Sequence, residues 1–375
     1  MPGRTQDALY AEIDSELSWS EDALPQVERT KHVHGLHPYL GKFVPQLVEV
    51  FLRRYFAPGS CVYDPFVGSG TTLVEANAFG ADALGADISA FNCLLSRVKT
   101  GRYSLGELEL GLRGALEDAR RRAAGSGSAA SPWLVDWFAP RALAELLAYR
   151  DAVEALPEPY ADVGRVILTR AARSARRTTH FDLDFPTRPA LEPYHCFKHK
   201  RMCRPVDESA KFLSRYTGDT IRRIREFASL RTARAVTVLH ADSRFVALPV
   251  RPTGVITSPP YPGLIDYHEQ HRYAYELLTL VDRSAEEIGA ASAGRARDAV
   301  RAYVDAASAV FANTRRQLAP ESWVLIVVND SRELYPRILE NAGLVLEDRI
   351  TRHVNRRTGR RAGEFFEDVL ICRTR

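Results

Sequence analysis

CVYDPFVGSGTTLVEANAFGADALGADIS, residues 61–89, decides the fold. An apolar run ends at Asp64, a glycine loop follows, an apolar helix-forming stretch comes next, and a second apolar run ends at Asp87. That order has the size and composition of a βαβ unit. Gly68 and Gly70 let a backbone come close to a ligand. The helix after them aims free N–H groups at the same place and favours an anionic group there. Asp87 stands 19 residues beyond Gly68, the spacing at which a carboxylate at a strand end meets ribose hydroxyls. A nucleoside cofactor is therefore expected. The loop has neither the third glycine of a dinucleotide fingerprint nor the lysine of a P-loop, so NAD and ATP fit less well.

Outward from this unit the pattern continues. HPYLGKFVPQLVEVFLRRYF (37–56) opens as a loop and becomes a helix with Leu47, Val48, Phe51, Leu52 and Tyr55 on one face. Downstream, AVTVLHADS (235–243), TGVITSPPY (253–261) and SWVLIVVND (322–330) read as strands, with helices near 266–280 and 297–318 and closing strands near 344–353 and 366–373. Strands alternating with helices predict an α/β fold with a doubly wound, mostly parallel sheet. The expected division is a lead-in at 1–34, a catalytic domain from 35–99 and 235–375, and a mainly helical, basic insertion at 100–234.

Composition agrees with a globular chain of 375 residues, 45% apolar and 26% charged. No apolar run approaches the ~18 residues of a membrane span, so no membrane association is expected. The first residues carry no apolar secretory segment, and five scattered cysteines fit reduced thiols. A cytoplasmic, nucleoid-associated protein is expected. Net charge is +4, yet residues 165–235 hold 17 Arg or Lys against 7 Asp or Glu, a local +10. Such a block predicts a polyanionic partner.

Thr257-Ser258-Pro259-Pro260-Tyr261 leaves a strand directly. Two prolines remove two N–H donors, stiffen the turn and hold carbonyl acceptors in fixed directions. With Tyr261 beside them, these acceptors suit a planar base bearing an exocyclic amine that has left its stack. None of the five cysteines follows a proline, which argues against a Pro-Cys nucleophile and methylation at ring carbon 5.

With both motifs in view, the chain resembles the amino-methylating DNA methyltransferases that use S-adenosylmethionine, in particular the cytosine-N4 group with a Ser-Pro-Pro-Tyr turn. The resemblance spans roughly 35–98 and 236–375, and it implies a class I (Rossmann-like) methyltransferase fold. It also implies that Gly68, Ser69, Gly70, Thr71 and Thr72, with Lys42 and Phe43 nearby, hold the methionine side of the cofactor, and that Asp64 and Phe66 belong to the same cofactor site. Asp87 and Ile88 would serve the ribose and Asp242 the adenine end. Ser258, Pro259, Pro260 and Tyr261 would hold the target base. The implied partners are double-stranded DNA and a cognate restriction endonuclease or defence proteins. Adenine N6 uses similar geometry and stays the alternative, as does a catalytically inert DNA-binding protein on the same scaffold.

In the basic insertion, Arg173, Arg176 and Arg177 are expected to contact phosphates, and Tyr194–Arg204 to read bases. His195, Cys196, His199 and Cys203 crowd nine residues, but the spacing fits no standard finger and adjacent His195 and Cys196 can hardly share one tetrahedral ion. No metal is expected there, nor at His32, His34 and His37.

Overall fold

The computed structural model describes residues 17–19, 23–122, 130–180, 182–183, 186–294, 296–354 and 365–375. Most of the expected lead-in falls outside them, as do residues 123–129 of the expected insertion.

Strands β1 (Cys61–Asp64), β2 (Asp82–Asp87), β5 (Val236–His240), β6 (Gly254–Thr257) and β7 (Trp323–Val328) run parallel, and β8 (Leu344–His353) and β9 (Phe366–Thr374) add an antiparallel edge. The order across the sheet is β5-β2-β1-β6-β7-β9-β8. A separate hairpin pairs β3 (Tyr194–Cys196) with β4 (Arg201–Cys203). This is the expected doubly wound, mostly parallel sheet.

Side chains alternate across such a sheet, so neighbouring residues serve opposite layers. Val62, Ile256, Leu325 and Val327 pack under helices α1 (Pro45–Tyr55) and α2 (Thr71–Phe79). Tyr63, Val255, Val324 and Ile326 pack against α10 (Arg297–Arg316) and α11 (Tyr335–Ala342). Pro45 opens α1 at a position that needs no N–H, and the helix ends before Pro58 and Gly59.

The insertion contributes α4 (Leu105–Arg122), α5 (Pro132–Trp137), α6 (Pro140–Val153), α7 (Tyr160–Ala175) and α8 (Ala210–Ala228). Its apolar faces form one core with α3 (Ala90–Thr100) of the sheet domain and α9 (Arg272–Leu278), joining Leu94 and Val98 to Leu146, Ile167, Ile221 and Tyr273. The mainly helical reading of 100–234 misses the β3–β4 hairpin, because two three-residue strands leave too short a pattern to read. The lead-in also packs onto the fold: Leu17, Leu24 and Val33 are buried.

Candidate cofactor and target-base site

The chain moves from β1 to β2 and β5 on one side, then crosses to β6 and β7 on the other. Strand order therefore reverses between β1 and β6, and a cleft opens at their carboxyl ends. Asp64, Asp87 and Thr257 are the last residues of β1, β2 and β6, so all three motifs converge there. The cleft encloses about 830 Å³ including its open mouth.

Gly70 caps α2 with φ 78°, a left-handed conformation that favours glycine. A Cβ on it would lie 2.8 Å from Ser96 Oγ. The loop is further held by Ser96 Oγ donating to the Gly68 carbonyl (3.0 Å) and by buried Lys99 donating to the Ser69 carbonyl (2.7 Å). Asp87 accepts from the Gly68 N–H at 2.9 Å, the Ser89 N–H at 2.8 Å and Asn92 Nδ2 at 3.1 Å. Burial raises its pKa against these donors. Asp242 pairs with Arg244 at 2.6 Å. Burial works against its ionisation, but the hydrogen bonds and charge of Arg244 prevail and hold its carboxyl below the usual range.

Lys42, Phe43, Phe66, Gly68, Ser69, Thr71, Asp87, Ile88 and Asp242 line the cleft, and Ser258 and Pro260 close its far side. The hydroxyls of Ser69 and Thr71 and Oδ1 of Asn92 are buried and, among the described residues, have no hydrogen-bond partner. Orphaned polar atoms on a glycine-loop cradle fit a polar ligand there.

The remaining expected residues stand behind this wall. Asp64 is 1% exposed, accepts from Thr257 Oγ1 (2.6 Å) and the Phe66 N–H (3.0 Å), and burial pushes its pKa up to about 6. Thr72 Oγ1 donates to the Ile256 carbonyl at 3.2 Å. Both tie the glycine loop to the strand carrying the Ser-Pro-Pro-Tyr turn rather than facing the cleft. Pro259 is buried. Tyr261 donates from its hydroxyl to Glu367 Oε1 at 2.8 Å and sits 6.2 Å from the Phe365 ring. The Pro260 carbonyl accepts from Tyr303 at 3.1 Å.

Several lining residues lie outside the motifs. Tyr39 and Tyr267 stack at 5.7 Å and form an aromatic wall of the cleft. Glu287 accepts from the His268 N–H at 2.8 Å. Tyr39 stands in the HPYLGKF segment; Tyr267 opens a four-residue helix, Tyr267–Gln270, and Glu287 lies beyond it, where no spacing marks either.

The phosphate-contact expectation needs correction. Arg176 is 4% exposed, lies over the Tyr273 ring at 4.7 Å and donates to the Leu183 carbonyl at 3.0 Å, so it braces the insertion and cannot reach a phosphate. Arg173 and Arg177 are half-buried. Nearby cations are paired: Arg170 with Asp219 at 2.6 Å, Arg165 with Glu154 at 2.6 Å, Arg225 with Glu109 at 2.8 Å. The hairpin is different, since Lys198, Lys200, Arg201 and Arg204 are all exposed, with Phe197 and Met202 exposed among them.

Residues 9–97 match a family described as DNA methylase. The chain is 34% identical to Type II methyltransferase M.MjaII of Methanocaldococcus jannaschii, over 97% of this chain and 84% of that protein. It is 40% identical to Type II methyltransferase M.MvaI of Kocuria varians over 18% of this chain and 15% of that protein. S-adenosylmethionine is accordingly the expected cofactor, and the observed doubly wound, mostly parallel sheet agrees with the class I (Rossmann-like) fold that the resemblance implies. A relative at 34% identity that matches nearly the whole chain, joined to a glycine-loop cleft at the switch point, makes the chain a member of the Type II DNA methyltransferase family.

Proposed function

We propose that the protein transfers a methyl group to the exocyclic N4 of cytosine in duplex DNA, as the modifying partner of a restriction endonuclease or a related defence system. The observation that carries this reading is the Ser258-Pro259-Pro260-Tyr261 turn leaving β6 beside the cleft. In this reading Gly68, Ser69 and Thr71, with Lys42 and Phe43, hold the methionine side of the cofactor. Asp87 and Ile88 hold the ribose, and Asp242 the adenine end.

S-adenosylmethionine, when bound, supplies an electrophilic methyl group. The protein's work is then to present a poor nucleophile, since the amine lone pair of cytosine is delocalised into the ring. The Ser258 hydroxyl and the Pro259 carbonyl accept the two N–H groups and bias the nitrogen toward tetrahedral geometry. Positioning and electrostatics do the rest, without a covalent intermediate. The base reaches the turn by leaving its stack. The exposed basic hairpin at 194–204 grips phosphates, and the nucleoid is where the protein works.

Modification-sensitive sequencing of DNA from cells expressing the protein tests this. The expected result is N4-methylcytosine at one short sequence, absent with Ser258→Ala. A mark on adenine N6 would overturn the choice of base, and no mark together with tight cofactor binding would favour an inert DNA-binding protein.

A further inference from the structure

The β3–β4 hairpin lacks an ordinary reason to be ordered. Two strands of three residues are too little to stand alone in water. Phe197 and Met202 are 79% and 62% exposed. Cys196 and Cys203 are buried, at 3% and 9%, yet among the described residues neither belongs to the three apolar cores. They face a pair of histidines. The ligand atoms of His180, Cys196, His199 and Cys203 all lie within 4.8 Å of one another. Cys196 Sγ is 3.4 Å from His180 Nδ1 and 3.7 Å from His199 Nδ1, and Cys203 Sγ is 3.5 Å from His199 Nδ1.

With Zn–S bonds of ~2.3 Å and Zn–N bonds of ~2.0–2.1 Å, the S···N edge of a tetrahedron is about 3.6 Å. The three observed separations straddle that value. Two thiolates and two neutral imidazoles balance a divalent charge, and binding releases the two thiol protons. His195 takes no part: it is exposed and packs its ring edge-on to Phe197 at 5.2 Å. The Tyr194 hydroxyl, 3.0 Å from His180 Nδ1, would give up that nitrogen to the metal and keep the hydrogen bond it accepts from the His180 backbone N–H at 3.2 Å.

We infer that His180, Cys196, His199 and Cys203 form a structural zinc site that pins the basic hairpin to the chain segment after α7. The hairpin's order then depends on the metal, and so does the direction in which Lys198, Lys200, Arg201 and Arg204 project.

Metal analysis of the full-length protein, purified under reducing conditions from zinc-supplemented cells, should find about one zinc per chain. Cobalt exchanged into the same protein should show the thiolate charge-transfer band of a tetrahedral sulfur-bound ion. His180→Ala and Cys196→Ser should lose the metal, and His195→Ala should keep it. Should the first two variants fail to fold, the wild type still decides: chelation should expose two new alkylatable thiols, mapped by mass spectrometry to Cys196 and Cys203. Wild-type protein with neither zinc nor a cobalt–thiolate band overturns the site. So does a Cys196–Cys203 disulfide, seen as thiols freed by reductant and not by chelator, or metal loss in His195→Ala with retention in His180→Ala.

Discussion

Replacing Glu367 by Ala should destabilise the protein more than removing the Tyr261 hydroxyl it holds. Glu367 on β9 accepts from the Tyr261 hydroxyl through Oε1 at 2.8 Å and from Arg352 Nη1 through Oε2 at 2.9 Å. Arg352 on β8 is 4% exposed, and its Nε donates to the Leu17 carbonyl at 3.1 Å. Truncating Glu367 leaves that guanidinium buried without its carboxylate, a loss of about 3–5 kcal/mol. Tyr261→Phe removes one hydrogen bond to a charged group, about 1.5–3 kcal/mol. The lower end applies, because Glu367 keeps Arg352. In the double variant the tyrosine hydroxyl has already lost its acceptor, so its removal should add little. The coupling in the cycle should approach the whole Tyr261→Phe effect. Urea unfolding followed by tryptophan fluorescence gives all four values. A Glu367→Ala cost below about 1 kcal/mol, or strict additivity, would refute the idea that this chain of contacts anchors the Ser-Pro-Pro-Tyr turn.

Three further outcomes follow from the same contacts. Gly70→Ala forces a Cβ against Ser96 at a left-handed position, and Asp87→Ala removes the proposed ribose contact; isothermal calorimetry should show both weakening S-adenosylmethionine binding at least tenfold, and unchanged affinity in both would sink the cofactor assignment. Burial holds His32 and His271 down to about 3, with like charges adding to the effect, and keeps His34 and His37 well below the ordinary value. These groups fold neutral while the unfolded chain takes up protons below pH 6.5, so stability is present above that pH and is lost on acidification. Going from pH 7.5 to 6 should remove about 3 kcal/mol in all, and a flat urea midpoint over that range would contradict it. Below about pH 6 Asp64 opposes the trend, its raised pKa favouring the folded state as it protonates. Last, replacing Lys198, Lys200, Arg201 and Arg204 together by Ala should weaken DNA binding at every sequence and shallow its salt dependence, whereas Arg176→Ala should chiefly lower stability; fluorescence anisotropy across a salt series separates the two.

The readable part of this protein is the part encoded at short range. Residues 61–89 and 253–261 declare themselves because a strand, a tight turn and a helix or carbonyl cluster each need particular residue types within a few positions. Apolar runs such as WVLIVV are legible for the same reason, being buried on both faces. Hence the sheet, the glycine loop after β1 and the Ser-Pro-Pro-Tyr turn after β6 could all be placed from the sequence.

Tertiary structure decided what depends on which distant surfaces meet. Arg176 looks like any arginine of a basic block, yet it is buried because the end of α7 packs against Tyr273, 97 positions on. Glu367 anchors Tyr261 from 106 residues away. The cluster at 195–203 is unfit for one ion when His195 is counted as a ligand. In a strand, neighbours point to opposite faces, so Cys196 turns inward while His195 turns out, and chain reversal brings His180 into the vacated place. Residue types and local spacing are properties of the linear chain, whereas burial, pairing and the choice between neighbouring side chains exist only once the chain has closed on itself.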